Sequence, residues 1–224
     1  MSRQSNVAPI RRLLLKHPRQ AFRDPARIGR EWRDLGFTAA PDLGRAVEEY
    51  DRLVELLSGF GIELVFLPEA DGVTLDSIYV HDPLLSARRG VVLARMGKPQ
   101  RHGEPGAAAE LLRANGVPIL GAIQGPGHVE GGDAVWIDER TLAVGEGYRS
   151  DAAGIRQLRA LLGSDVDEVR AVPLPHWKGP KDVLHLMSLF SPLDDDLAVV
   201  HSPLLPVPFR QWLLSRGLEG SPGE

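Results

Sequence analysis

Apolar residues recur at helical spacing through Val47-Glu48-Glu49-Tyr50-Asp51-Arg52-Leu53-Val54-Glu55-Leu56-Leu57. An i, i+3, i+4 pattern of this kind predicts a helix with one buried face. Gly59 and Gly61 follow as candidates to end it, because glycine enters the left-handed C-cap conformation without steric cost. Residues 62–67 then predict a strand, closed by Pro68. The same order returns twice. Residues 107–115 predict a helix, Gly116 its cap and 117–120 a strand; residues 151–162, Gly163 and 169–174 repeat the pattern, closed by Pro175. A fourth helix begins at Pro208 and is capped by Gly217, with no following strand expected. Ahead of the helices lie apolar runs at 10–15, at 77–80 with 90–96, at 134–137 with 141–144, and at 184–190 with 197–201. The predicted unit is strand–strand–helix–strand, with helix starts roughly 45–60 residues apart, near the spacing of repeated modules. On pattern alone, an ordinary α/β domain with similar connections is the alternative.

Composition narrows this picture. The 224 residues are 43% hydrophobic and 25% charged, the balance of a globular chain with enough length to bury a core. A single domain over residues 1–224 is expected. No apolar run reaches the ~18 residues of a membrane span. The polar start Met1-Ser2-Arg3-Gln4-Ser5-Asn6 leads into no signal core, so the cytoplasm is the expected compartment. The net charge is −4 and no basic block stands out, which argues against nucleic-acid and membrane partners. Cysteine is absent. Disulfides, iron–sulfur clusters, thiolate zinc sites and a cysteine nucleophile are therefore excluded within these residues.

Four polar clusters fall at strand ends or in loops, where α/β folds place function. They are Asp76-Ser77-Ile78-Tyr79-Val80-His81-Asp82-Pro83; His128-Val129-Glu130-Gly131-Gly132-Asp133; Lys181-Asp182-Val183-Leu184-His185; and the basic pair Arg101-His102-Gly103-Glu104 and Tyr148-Arg149-Ser150-Asp151. Each has a plain structural reading. Asp82 before Pro83 suits a turn, residues 130–133 a hairpin turn, His185 a hydrogen-bonded core histidine, and the arginines solvated charges. No cluster has metal-ligand spacing, and no metal or cofactor is expected. Taken together, several carboxylates and a histidine suit a guanidinium cation. Carboxylates match its fork of donors. A histidine titrating near neutrality can protonate a leaving amine and later activate water.

In their order along the chain these motifs resemble the guanidine-modifying superfamily, which includes dimethylargininases, arginine deiminases and amidinotransferases. The residues that carry the resemblance are Asp76, His81-Asp82-Pro83, Arg101-His102-Gly103-Glu104, Glu130-Gly131-Gly132-Asp133, Gly145-Glu146-Gly147-Tyr148-Arg149 and Leu184-His185-Leu186-Met187-Ser188. The resemblance implies the pentein fold, an α/β propeller of five strand–strand–helix–strand modules, of which just under four are present here. It implies hydrolysis of a guanidino C–N bond in arginine or a methylated arginine, releasing citrulline, without a cofactor. It assigns Glu130 and His185 to catalysis, Asp82 and Asp76 to the guanidinium, and Arg101 and Arg149 to the substrate's α-carboxylate. Asp133 is expected to organise its loop. Met187 stands where arginine deiminases carry an aspartate, which favours the dimethylargininase-like reading. The family's nucleophilic cysteine lies in a later glycine-rich loop, so a missing stretch on the order of 50–60 residues is expected from the module spacing. Without it the chain is expected to be inactive, and exposed module edges leave a homo-oligomer open. An amidinotransferase, an arginine deiminase and a non-catalytic pentein binding protein are the alternatives.

Overall fold

The computed structural model describes residues 4–180 and 183–220, and among these residues three three-stranded sheets follow one plan. The first holds β3 (Leu84–Ala87), β4 (Gly90–Leu93) and β5 (Ile119–Ala122). The second holds β6 (Ala134–Asp138), β7 (Thr141–Glu146) and β8 (Glu168–Pro173), and the third β9 (Phe190–Pro192), β10 (Leu197–Val200) and β11 (Glu219–Gly220). In every case the central strand pairs antiparallel with its predecessor and parallel with its successor. A tight turn can make the first connection, whereas a parallel partner requires a crossover. The crossovers are α4 (Glu104–Ala114), α5 (Ala152–Leu162) and α6 (Val207–Ser215). Nearer the N-terminus, β1 (Arg12–Leu15) pairs parallel with β2 (Glu63–Phe66). Between them run α1 (Pro18–Ala21), α2 (Pro25–Leu35) and α3 (Leu43–Gly59). This is the strand–strand–helix–strand unit expected from the apolar pattern, in an α/β fold.

Four details differ from the expectation. Residues 77–80 are not a strand: Leu75–Ile78 form a short 3-10 helix, and the pairing strand is β3, beyond Pro83. The interruptions at Ser86 and Arg88 hid its short apolar run. Residues 184–190 are not one strand either. Leu186–Ser188 make a 3-10 turn with His185 at its N-terminal edge, and only Phe190 enters β9. A fourth-module strand does begin, as β11 on β10. Finally, α2 was not foreseen. It starts where the Asp24 side chain accepts the Arg27 N–H and stops at Gly36, whose φ of +87° is left-handed. Lys181 and Asp182 of the third polar cluster lie outside the described residues.

The chain divides into two compact units. One comprises Met1–Ala8, His81–Gly97 and Gly116–Glu224. Its first core joins Val92, Val129, Leu142 and Val144 to the Ile155, Leu158 and Leu162 stripe of α5. Its second core gathers Val135, Val172, Leu186, Phe190, Phe209 and Leu213. Burial of such side chains stabilises by about 1.5–3 kcal/mol each, which anchors the loops that carry the polar clusters. The other unit comprises Pro9–Val80 and Lys98–Asn115, around Ala21, Phe22, Ile28, Leu35 and Leu75. Among the described residues, no helix is long and apolar enough to cross a membrane.

Candidate active site

Glu130 is fully buried, which a carboxylate tolerates only when its lone pairs are met. The preceding residue, Val129, forms an isolated antiparallel bridge with Arg95. The Glu130 Oε1 accepts the Gly97 N–H at 2.8 Å. Arg149 Nη1 donates to both carboxylate oxygens, at 3.1 and 3.3 Å. The backbone N–H of Glu130 donates to Ser150 Oγ at 3.1 Å. His185 Nε2 stands 3.5 Å from Glu130 Oε2.

Asp133 sits on the other side of the same imidazole. Its Oδ1 lies 3.2 Å from His185 Nδ1, an ion-pair contact bent away from a straight N–H···O bond, which leaves Nδ1 without a well-formed hydrogen bond. That oxygen also accepts the Leu186 N–H at 3.1 Å, and Oδ2 accepts the Ser150 hydroxyl at 2.6 Å. Asp82 completes the group. Its carbonyl accepts the Gly131 N–H at 2.8 Å, and its Oδ1 accepts the Gly132 N–H at 3.2 Å. Coordinating atoms of Asp82, Glu130 and His185 all lie within 4.8 Å of one another.

The two glycines are what allow this approach. A Cβ on Gly131 would stand 2.2 Å from the His81 carbonyl oxygen, and one on Gly132 would stand 2.8 Å from His185 Cγ and 2.9 Å from Asp82 Oδ1. Only a residue without a side chain lets backbone and ligand groups converge so closely.

His185 has its pKa raised above 6.5. Burial alone opposes the charged ring, but the close contact with Asp133 and the charges of Asp133, Asp82 and Glu130 outweigh it. A raised folded-state pKa contributes stability that is fully present below the unfolded value and lost as pH rises through the folded one. The thermal midpoint is therefore expected to fall as pH climbs above about 6.5. His185→Gln should flatten that part of the profile. Melting curves of both proteins between about pH 5.5 and pH 9 check it, and parallel profiles would refute it.

The other candidates also carry partners. Asp76 and Arg101 belong to the second unit. Asp76 pairs with Lys98 Nζ at 2.6 Å. Arg101, almost fully buried, binds both oxygens of Glu104 at 2.9 and 2.7 Å and the Tyr79 carbonyl at 3.0 Å. Arg149, expected to hold an α-carboxylate, pairs with Glu130. Ser150 was not singled out in the sequence; its place before the helix cap Asp151 masked it, yet its hydroxyl ties Glu130 to Asp133.

Two carboxylates and an imidazole at this spacing can bind a planar cation edge-on or share a divalent metal. A metal-bound imidazole must give up its proton at the ligating nitrogen, and Arg149 already supplies positive charge to Glu130.

Residues 76–215 match the family model described as arginine deiminase. The chain is 34% identical over 167 residues to N(G),N(G)-dimethylarginine dimethylaminohydrolase of Streptomyces coelicolor, covering 75% of this chain and 61% of that one. It is 29% identical over 140 residues to the enzyme of the same description from Pseudomonas aeruginosa, covering 62% and 54%. It thus spans less than two thirds of either relative. A solved structure of the Pseudomonas aeruginosa enzyme complexed with citrulline superposes with a TM-score of 0.73 at 22% identity, over 96% of this chain and 77% of that chain. The N-terminal domain of ArgZ, a cyanobacterial arginine dihydrolase bound to product, gives 0.75 at 22% identity, over 93% and 72%. With the family model matching well over half of its length, the chain belongs to the arginine deiminase family of guanidine-modifying penteins.

Proposed function

We propose that the chain binds the guanidinium group of arginine or a methylated arginine on Asp82 and Glu130, with His185 as the proton-transfer residue of an amidinohydrolase site. The observation that carries this is the convergence of those three side chains, 103 positions apart at the extremes (185 − 82), within 4.8 Å. A carboxylate pair matches the guanidinium donors, and charge-assisted bonds of this kind contribute about 1.5–3 kcal/mol each. In the hydrolytic reaction a nucleophile adds to the guanidinium carbon. The C–N bond to the amine breaks as the amine takes a proton from imidazolium, and water then displaces the nucleophile with the neutral imidazole as base. The 224 residues contain no cysteine. Accordingly they are proposed to bind guanidine without turning it over.

Calorimetric titration with L-arginine and with dimethylarginine tests the binding. Asp82→Asn is expected to weaken it by at least about tenfold, the low end of one lost charge-assisted bond. Citrulline release by the 224-residue chain should not exceed background. Unchanged affinity in Asp82→Asn would remove the guanidinium assignment. Citrulline release abolished by His185→Ala would reveal a nucleophile other than cysteine.

A further inference from the structure

His81 and Gly131 help to wall a cavity of about 170 Å³, in the unit that also carries Asp82, Glu130 and His185. Leu142, Leu158 and Leu162 line it from the core, each 2% exposed or less. His81 and Ser86 line it as well and are exposed, so the cavity reaches from the core to solvent. Its walls are held in place by bonds between distant stretches of chain. Trp136 Nε1 donates to the Ser86 carbonyl at 3.1 Å, and the Trp136 backbone N–H donates to Asn6 Oδ1 at 2.7 Å. Gln4 fastens the N-terminal stretch that brings Ser5 and Asn6 to the cavity. Its Oε1 accepts the Arg88 N–H at 2.6 Å, and its Nε2 donates to the carbonyls of Glu139 and Asp165 at 3.0 and 3.1 Å.

Protein interiors are close-packed, and side chains that face a void forfeit contacts on that side. A leucine-lined cavity of about 150 Å³ takes up benzene. The volume here suits one six-membered ring, and the indole of Trp136 offers that ring an aromatic neighbour. The same wall holds the guanidinium site together. His81 Nε2 is 3.1 Å from the Gly131 carbonyl oxygen. The Gly131 N–H donates to the Asp82 carbonyl at 2.8 Å, and the Gly132 N–H donates to Asp82 Oδ1 at 3.2 Å. These bonds join the stretch that presents Asp82 to the stretch that presents Glu130. A ring packed against His81 and Gly131 restricts both stretches together. A guanidine that binds afterwards has less freedom left to remove, which makes the two ligands cooperative.

We infer that the cavity is an effector site for a single uncharged aromatic ring, and that its occupant tightens guanidine binding on Asp82 and Glu130. The coupling rests on the guanidinium site proposed above, whereas the binding of the ring does not. By linkage, a guanidine tightens the binding of the ring by the same factor.

Calorimetry and amide hydrogen exchange on the 224-residue chain test both parts, with phenol as the ring and L-arginine as the guanidine. Phenol is expected to bind one to one with a Kd of about 1 mM or tighter. Saturating phenol should lower the Kd of L-arginine at least about threefold and slow exchange of the Gly131 and Gly132 N–H groups. Leu162→Phe places a ring of the chain's own in the cavity. It should weaken phenol binding at least about tenfold and abolish the effect of phenol on L-arginine. Leu162→Ala widens the cavity instead and should take up 1-naphthol at least about tenfold more tightly than the parent. Melting curves establish which variants fold, and either one suffices. Absence of phenol binding, or ring binding that no folded variant alters, would overturn the effector site. Phenol that binds without changing an Asp82-dependent affinity for L-arginine would overturn the coupling. If L-arginine does not bind, the guanidinium assignment falls with the coupling, and phenol binding that responds to Leu162 still supports the ring site.

Discussion

Replacing Glu130 by alanine is expected to destabilise the protein by about 3 kcal/mol, since removing one partner of a buried ion pair strands the other. In a chain of this size that corresponds to a fall of roughly 6–12 °C in the thermal midpoint. Glu130 is fully buried, and its carboxylate satisfies the Gly97 N–H, the Arg149 guanidinium and one side of His185 together. Alanine leaves all three facing a void. The low end of the range applies because the Arg149 side chain is 16% exposed and reaches some water. Glu130→Gln should cost less, because an amide oxygen can still accept from Gly97. Adding Arg149→Met to Glu130→Ala should recover part of the loss, and the double-mutant cycle isolates the pair. A melting temperature for Glu130→Ala within about 2 °C of the parent would show that the carboxylate is not the hub described here.

The second large effect is expected at the paired glycines. Gly131→Ala puts a methyl group 2.2 Å from the His81 carbonyl oxygen and 2.9 Å from that of Leu84. Both obstacles are backbone, and the turn that carries them is bonded to Gly131 through the Asp82 carbonyl and the His81 ring. Neither side can yield cheaply. Overpacking costs about 1–3 kcal/mol and sometimes more; the top of that range is expected, or a failure to fold. At Gly132 the added methyl meets side chains instead, the ring of His185 and the carboxylate of Asp82. These can rotate away, so Gly132→Ala should melt closer to the parent. It should nonetheless lose guanidine affinity by about tenfold or more, because the groups that rotate are the ones that bind. Chemical denaturation and calorimetric titration of both variants separate the two outcomes. Equal stability losses at the two positions would contradict the distinction between backbone and side-chain obstacles.

The module order was legible because its signals are local. An amphipathic helix, a following glycine and an apolar run occupy adjacent stretches, and Gly116, Gly163 and Gly217 all carry the positive φ expected after their helices. The short strands were less legible. β3 spans Leu84–Ala87 and β9 Phe190–Pro192, too brief for an alternating pattern to register. The Arg101–Glu104 pair was within reach of a sequence reading, since three residues separate the partners and i, i+3 neighbours meet on a helical turn. Both partners stand in the same short motif, Arg101-His102-Gly103-Glu104.

The sequence by itself determined the repeated strand–strand–helix–strand order, the lack of a thiol, and the residue types from which a guanidinium site could be built. Tertiary structure alone decided which charges meet. It placed Arg149 on Glu130, suspended His185 between Glu130 and Asp133, and used Ser150 to tie those two acids together. The reason is physical. Helix and strand patterns arise between neighbours in the chain, whereas a buried charge is stabilised by whatever lies close in space, and Gly97 and His185 reach Glu130 from 33 and 55 positions away (130 − 97 and 185 − 130).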